Sequence, residues 1–257
     1  MTRIVLNGVG KLGQAVITAA KDKQDGVVIV AAVDPHAVDD KARPFYRTLE
    51  DVREEFDVIV DASRAEGLDS VLNYAMKTDK PVVIAATGHN DAQLALLQEA
   101  AETIPVFKSA NLSFGVSVLR KLTEDAGRML GPVDAEIIEA HHRMKVDAPS
   151  GTALTLAETL RDATDPDRPF VYGRTPDDDQ PRGGEIGIHA VRGGTVVGEH
   201  SVLFLLDDEI IELRHVAQSR QVFGNGAVRA AKFVAGKAPG LYGMDDLLET
   251  AGEEKDN

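Results

Sequence analysis

The stretch Arg3-Ile4-Val5-Leu6-Asn7-Gly8-Val9-Gly10-Lys11-Leu12-Gly13 decides the fold. Arg3 to Leu6 form a short, mainly apolar run, the pattern of a buried strand, and a glycine-rich turn follows at once. Leu12, Val16, Ile17 and Ala20 then recur at helical spacing, and a second apolar run, Val27 to Val33, ends on Asp34, 21 residues beyond Gly13. Strand, glycine turn, helix, strand and acid follow one another in the length that a βαβ unit needs. The glycines allow a tight turn and let a pyrophosphate approach the backbone. A carboxylate at Asp34 stands where it accepts hydrogen bonds from adenosine ribose hydroxyls. The bland alternative is a glycine-rich turn that binds nothing; the flanking strands and the acid weigh against it.

Further along, the alternation continues. Asp57 to Asp61, Val82 to Ala86 and Ile104 to Phe107 read as strands, with helical patterns at Ala65 to Lys77 and Asp91 to Ala101 between them. Alternating βα units predict a parallel sheet with helices on both faces, an α/β domain of Rossmann type. Ligands of such sheets bind beyond the carboxyl ends of the strands, where Gly10, Asp34, Thr87 and Asn111 all fall. The pattern changes near Ser113. A long amphipathic helix is expected over Phe114 to Leu130, a strand over Ala135 to Ala140, and a helix from about Thr152 to Ala163. Asp165 to Gly184, rich in Pro, Asp, Gly and Arg, is long for a passive connection and is a lid candidate, with a plain surface loop as the alternative. Glu185 to Val191, Val196 to Leu206 and Glu209 to Val216 read as strands joined by short turns and hence antiparallel. The expectation is therefore a dinucleotide-binding domain over 1–111, completed by about 218–257, and a second α+β domain over 112–217 with a mainly antiparallel open sheet. A helix over Gly226 to Ala235 is expected to return to the first domain, and the acidic tail from Glu249 to fray.

Composition limits the partners. With 28 Lys and Arg against 42 Asp and Glu, the formal charge of −14 argues against nucleic acid, and no basic recognition helix is visible. No apolar stretch reaches the roughly 18 residues of a membrane span, and no leader pattern precedes the first strand. Cysteine is absent, which removes disulfides, thiol nucleophiles and thiolate zinc sites and fits a reducing cytoplasm.

Against that acidic background, Glu139-Ala140-His141-His142-Arg143-Met144-Lys145-Val146-Asp147-Ala148-Pro149-Ser150-Gly151-Thr152-Ala153 gathers two His, an Arg and a Lys within five residues. Pro149, Ser150 and Gly151 are a helix-start signature, and the N–H groups of a new helix turn suit a carboxylate or phosphate. A histidine and a lysine in one cleft suit proton donation to a carbanion-like centre. If residues 141 to 145 continue the strand, alternation places His141, Arg143 and Lys145 on one face and His142 on the other. A surface basic patch is the plain alternative. Two adjacent histidines diverge on a strand and have no evident third ligand, so no metal is expected. His36, His89, His189, His200 and His215 are scattered and read as structural or surface residues.

These residues resemble a known family. The Glu139 to Ala153 stretch closely resembles the signature of bacterial dihydrodipicolinate reductases, the 4-hydroxy-tetrahydrodipicolinate reductases of lysine and diaminopimelate synthesis. Ala110-Asn111-Leu112-Ser113-Phe114-Gly115-Val116, Ile186 to Gly194, Val197 to His200, Arg214-His215 through Ser219-Arg220, and Phe223 to Ala231 resemble further family segments. The resemblance implies NAD(P)H-dependent reduction of a cyclic imine dicarboxylate with loss of water. It implies His141 as proton donor and acceptor, Lys145 as a second donor, His142 as a substrate contact, and Gly151 and Thr152 as the backbone pair holding a substrate carboxylate. For the cofactor it implies Gly8, Val9, Gly10, Lys11, Leu12, Gly13 and Asp34, with Ala85, Ala86, Thr87, Ser109, Ala110, Asn111 and Leu112 on the nicotinamide side. It also points to a homotetramer built from the second domain.

Three positions depart from the family pattern. Asn7 stands at the first loop glycine, Ala86 replaces a hydroxyl-bearing residue, and Pro35 follows Asp34 where NADPH-favouring members often carry Arg. NADH is therefore the expected preference, with NADPH usable. Two other functions remain open at this point: another two-domain nicotinamide oxidoreductase acting on a different anionic imine or carbonyl compound, and a non-catalytic nucleotide sensor. The His141 and Lys145 pair favours the reductase over both.

Overall fold

The computed structural model describes residues 1–21, 26–36, 43–175 and 183–253, and it divides into two compact units. Unit 1 comprises residues 1–114 and 220–257, and unit 2 residues 115–219.

Unit 1 is built on seven parallel strands: β1 (Thr2–Asn7), β2 (Val27–Val33), β3 (Phe45–Tyr46), β4 (Val58–Asp61), β5 (Val82–Ile84), β6 (Pro105–Lys108) and β12 (Gly240–Tyr242). Their order across the sheet is β12-β6-β5-β4-β1-β2-β3. Side chains alternate along each strand, so Ile4 and Leu6 enter one core while Val5 enters the other, and Val58 and Val60 part from Ile59 in the same way. The first core is closed by α1 (Lys11–Lys21), α6 (Gln221–Val234) and α7 (Met244–Glu253), and the second by α2 (Leu68–Thr78) and α3 (Asp91–Ala101). Burial on both faces explains why the strands read as continuous apolar runs. Helix ends follow local chemistry: Asn90 and Gln93 form a reciprocal capping box on α3.

Unit 2 carries β7 (Asp134–His141), β8 (Phe170–Tyr172), β9 (Ile186–Arg192), β10 (Gly198–Leu205) and β11 (Ile210–Ala217), in the order β11-β10-β7-β9-β8. β10 pairs antiparallel with both β11 and β7, while β9 pairs parallel with β7 and β8. The long helix α4 begins at Phe114 and ends at Leu130, as its periodicity predicts, and α5 (Gly151–Thr164) follows β7. Leu119 from α4 and Leu156, Ala157 and Leu160 from α5 cover one sheet face, over Ile137, Ile188, Val202 and Phe204. The other face exposes Ile138, Val191, Ile210 and Val216.

Several sequence expectations need correction. β9 and β10 are not a hairpin: β7 lies between them, and the connection crosses its end, where Gly193 N–H donates to His141 O at 3.0 Å and Arg143 N–H to Gly194 O at 3.3 Å. A short turn made the strands neighbours in sequence, but the central place went to the strand whose inward face carries Ala135, Ile137 and Glu139, all buried. The segment Asp165 to Gly184 contains β8, and buried Arg168 straps its ends through Gly184 O (2.7 Å), Val133 O (2.9 Å) and Glu185 O (3.3 Å). Residues 176–182 of that lid candidate lie outside the described residues. The acidic tail does not fray at Glu249, because α7 runs to Glu253 with Met244 and Leu247 in the core.

The return of α6 to unit 1 depends on missing side chains. A Cβ at Gly226 would lie 1.6 Å from Leu112 O, and one at Gly224 would lie 2.3 Å from Ala15 O. Gly226→Ala should therefore lower stability by at least the ~1–3 kcal/mol of an overpacked core, read as a reduced urea midpoint at unchanged m.

Candidate active site

In unit 1, the site residues converge on the carboxyl ends of β1, β2, β5 and β6. Gly8 leaves β1 with φ +88° and donates its N–H to Val33 O at 2.8 Å. A Cβ there would meet Ala62 and Ser63 backbone atoms at 2.7–2.8 Å, and one at Gly13 would lie 2.1 Å from Gly8 O. Both are thus fixed by packing. Gly10 is different: a Cβ would have nothing within 4 Å, and its carbonyl accepts the first α1 bond from Gln14 N–H. Open space beside the N-terminus of an eleven-residue helix suits a pyrophosphate. Lys11 and Leu12 open that helix, and Val9 N–H donates to Asp34 Oδ2 at 3.0 Å, tying the loop to the end of β2. Asp34 Oδ1 accepts from His36 N–H at 2.9 Å.

Asn7, at the departure from the glycine pattern, has a defined role. Its Nδ2 donates to Asp61 Oδ1 at 2.8 Å, joining the ends of β1 and β4. Burial raises the pKa of Asp61 despite bonds from Ser63 and Asn7. Ala85, Ala86 and Thr87 follow β5, with Ala85 N–H donating to Asp61 O, Ala86 buried and Thr87 exposed. Ser109, Ala110, Asn111 and Leu112 follow β6 in a turn closed by Ser109 Oγ donating to Asn111 O at 2.7 Å and Ser113 N–H to Asn111 Oδ1 at 2.8 Å.

Unit 2 holds the cationic stretch. β7 ends at His141, and residues 143–144 turn, with Lys145 N–H donating to His142 O at 3.1 Å. The strand alternation expected over 141–145 therefore stops at its first residue. His141 lies on the covered face of the sheet, in register with Arg192 of β9. Its Nδ1 is 2.6 Å from Glu139 Oε2. Lys145 Nζ pairs with exposed Asp147 at 2.9 Å, and that bond lowers the pKa of Asp147. His142 is half-buried and Arg143 exposed. Ser150 caps α5, its Oγ accepting from Ala153 N–H at 3.2 Å, so that Gly151 and Thr152 open the helix. A Cβ at Gly151 would meet nothing within 4 Å, which leaves the helix start approachable.

Three residues around this stretch, Glu139, Arg192 and His200, escaped the sequence reading as site residues. Glu139 is 1% exposed, and burial alone would raise its pKa. Bonds from Arg192, His141 and Ser150 N–H outweigh that and hold it below the carboxylate range. Arg192 grips Glu139 with two nitrogens, at 2.7 and 2.6 Å. His200, read as scattered, is buried, with Nε2 3.1 Å from Ser150 Oγ and its ring edge-on to His141 at 5.2 Å. The strand register pairs His200 with Glu139 and His215, a signal that exists only once β7, β10 and β11 are aligned. Among the described residues, no group of three or more His, Cys, Asp or Glu is placed to hold a metal, and no helix is long and apolar enough to cross a membrane.

Burial, with the nearby His141, pushes the pKa of His200 down to about 4. A histidine that binds its proton less readily in the folded than in the unfolded state contributes stability above about 6.5 that is lost as pH falls towards 4. The loss for this group is about 3 kcal/mol at ~1.4 kcal/mol per unit. Urea unfolding between pH 7 and 4 should show a distinctly shallower loss in His200→Gln than in wild type; parallel curves would mean that His200 does not carry it.

Comparisons with known proteins agree over nearly the whole chain. Residues 2–112 match the model of the dihydrodipicolinate reductase N-terminus, and residues 115–248 that of the C-terminus. A 4-hydroxy-tetrahydrodipicolinate reductase of Caldanaerobacter subterraneus subsp. tengcongensis is 45% identical, covering 97% of this chain and 99% of its own length. One from Clostridium botulinum is 44% identical, covering 96% of this chain and 98% of its own. Among solved structures, the dipicolinate-bound dihydrodipicolinate reductase of Paenisporosarcina sp. TG-14 superposes with a TM-score of 0.81 at 25% identity, over 96% of this chain and 99% of that one. The chain belongs to the dihydrodipicolinate reductase family.

Proposed function

We propose that this protein reduces 4-hydroxy-tetrahydrodipicolinate to tetrahydrodipicolinate with NAD(P)H, in lysine and diaminopimelate synthesis. The observation that carries it is the placement of His141, bonded to a buried carboxylate, in the same short stretch as Lys145 and the start of α5. The substrate is a dianion. Gly151 and Thr152 receive one carboxylate at the opening of α5, and His142 contacts the substrate. Lys145 neutralises charge and serves as the second proton donor; its partner Asp147 is largely exposed, so a substrate carboxylate competes with it for the ammonium. His141 delivers and recovers the proton that accompanies reduction, while the hydroxyl group leaves as water. Family membership supports a nicotinamide cofactor, which supplies the hydride when bound. The open side of Gly10, the start of α1 and Asp34 fit its pyrophosphate and ribose, and the segments 85–87 and 109–112 its nicotinamide side. A chain without cysteine fits work in the reducing cytoplasm.

NADH is the preferred cofactor. Both Asp34 oxygens already accept backbone N–H bonds, so the carboxylate is anchored at the end of β2, where it receives ribose hydroxyls and repels a 2′-phosphate. Pro35 offers neither a cation nor an N–H. Lys11 and His36 are exposed and leave NADPH usable. A coupled assay on the synthase product, following nicotinamide absorbance, tests the whole reading. His141→Ala and Lys145→Ala should each lower kcat by roughly 10²- to 10⁴-fold with little change in NADH affinity. NADH should exceed NADPH in kcat/KM by about ten- to a hundredfold, from a charge conflict of about 1–3 kcal/mol. Near-normal turnover in either variant removes that residue from its role, and a clear NADPH preference means the phosphate finds a cation elsewhere.

The uncovered face of the unit 2 sheet supports a homotetramer built from that unit. Ile138, Val191, Ile210 and Val216 are 39–64% exposed on one side of an open sheet whose edge strand is β11. Such a face and edge are satisfied by a second copy of the same face. Light scattering at micromolar concentration should give a tetramer for wild type, and Ile138→Lys with Ile210→Lys should give smaller species; a monomeric wild type would overturn the assignment.

A further inference from the structure

We infer that Glu139 is a positioning residue for His141: its carboxylate fixes the ring in the Nδ1–H tautomer and leaves Nε2 as the atom that handles the proton. This deepens the proposed function, since it rests on His141 being the proton donor, but the geometry behind it stands without a substrate.

Glu139 is 1% exposed, and four nitrogens converge on its two oxygens. Oε1 accepts from Ser150 N–H at 2.9 Å and from Arg192 Nη2 at 2.6 Å, and Oε2 accepts from Arg192 Nη1 at 2.7 Å. The remaining contact, at 2.6 Å, is His141 Nδ1. An ionised carboxylate only accepts, so that nitrogen must carry a hydrogen. The neutral ring is then bare at Nε2. A histidine attached to solvent or to a hydroxyl would exchange between tautomers; this one is held by an ion that cannot rotate away, because Arg192 is itself bonded to Asp147 O and Val191 O at 2.7 Å each. The strand register sets the arrangement: Arg192 lies beside His141 across β9–β7, and Glu139 sits two residues back on the same face.

Glycine at position 198 makes room for the Nε2 edge of the ring. A Cβ at Gly198 would lie 3.0 Å from His141 Nε2, tighter than an ordinary contact. The charged and titratable groups around the ring are Glu139 on its own strand, Arg192 from β9, His200 from β10 with His215 beyond it, and Lys145 and Asp147 in the following loop. Of these, only Glu139 is bonded to the ring. Orienting a histidine through Nδ1 so that Nε2 does chemistry is what a buried carboxylate does in hydrolase triads, and loss of that charge there inverts the tautomer.

The test reads the tautomer directly. Nitrogen-15 spectra of histidine-labelled enzyme, with His141 assigned from its absence in His141→Asn, are recorded without substrate. Wild type should show His141 protonated at Nδ1 and bare at Nε2 when neutral. In Glu139→Gln the proton should move to Nε2 in a large part of the population, and kcat should fall roughly 10²- to 10⁴-fold while KM for NADH stays near wild type. Glu139→Asp, which keeps the charge, should restore the Nδ1–H form and part of the turnover. A wild-type ring protonated at Nε2 overturns the inference, even if Glu139→Gln fails to fold. So does a Glu139→Gln enzyme that is less stable to urea but keeps the wild-type tautomer and kcat. A shifted tautomer in Glu139→Gln with wild-type turnover of the dicarboxylate also overturns it, whereas a wild type that shows the Nδ1–H ring but does not reduce the dicarboxylate sinks the proposed reaction and leaves the inference about the ring standing.

Discussion

The buried charge at Glu139 is the constraint around which unit 2 is arranged. An unpaired carboxylate at 1% exposure would cost several kcal/mol, and removing one partner of such an ion typically costs ~3–5 kcal/mol. The fold meets that demand by bringing β9 alongside β7, so that Arg192 reaches across, and by starting α5 where Ser150 N–H points at the same carboxylate. Three pieces of chain meet at one carboxylate, β7, β9 and the cap of α5, and the loop through Asp147 holds the arginine that reaches it. Each of them carries a proposed site residue or its neighbour. Stability and site geometry are therefore the same set of bonds.

Unit 1 solves its problem with absent atoms. The glycine turn lies so close to the chain after β4 that Gly8 admits no side chain, and α1 so close to the turn that Gly13 admits none, while α6 approaches α1 and Leu112 through Gly224 and Gly226. Gly10 alone of the loop glycines faces open space, which separates the glycines that build the turn from the one that leaves room for a ligand. Asn7 shows how a departure from a pattern is absorbed: it does not need to be glycine because its side chain turns to Asp61 on the adjacent strand.

The parts of the fold legible in the sequence were those whose signals are local. Continuous apolar runs marked β1, β2 and β4, and periodicity placed α3 and α4 at Asp91–Ala101 and Phe114–Leu130. Short edge strands were not legible: Phe45–Tyr46, Phe170–Tyr172 and Gly240–Tyr242 hold two or three residues each and exist through pairing with a longer neighbour. The same limit hid part of the site. His141 and Lys145 announced themselves by clustering along the chain, whereas Arg192 and His200 are 51 and 59 residues from His141 and meet it only through strand register. The short turn at Gly193-Gly194 suggested paired strands that β7 in fact separates.

The cations of the stretch also sort themselves by partner, which composition could not reveal. Arg192 bonds Glu139 and two carbonyls through its two terminal nitrogens, so it is a structural cation whose charge is already spent inside the fold. Among the described residues, Lys145 is held only by Asp147, an ion pair whose acid is 59% exposed. Pairs of that kind contribute about 0–1 kcal/mol, so giving up Asp147 costs little. A protein of formal charge −14 that takes up a dianion, as the proposed function requires, has to keep some positive charge available, and a weakly tied lysine does so without leaving a buried ion unpaired. Under the proposed function, the site thus separates two tasks: one arginine–glutamate pair holds the proton donor still, and one loosely paired lysine stays free to change partners.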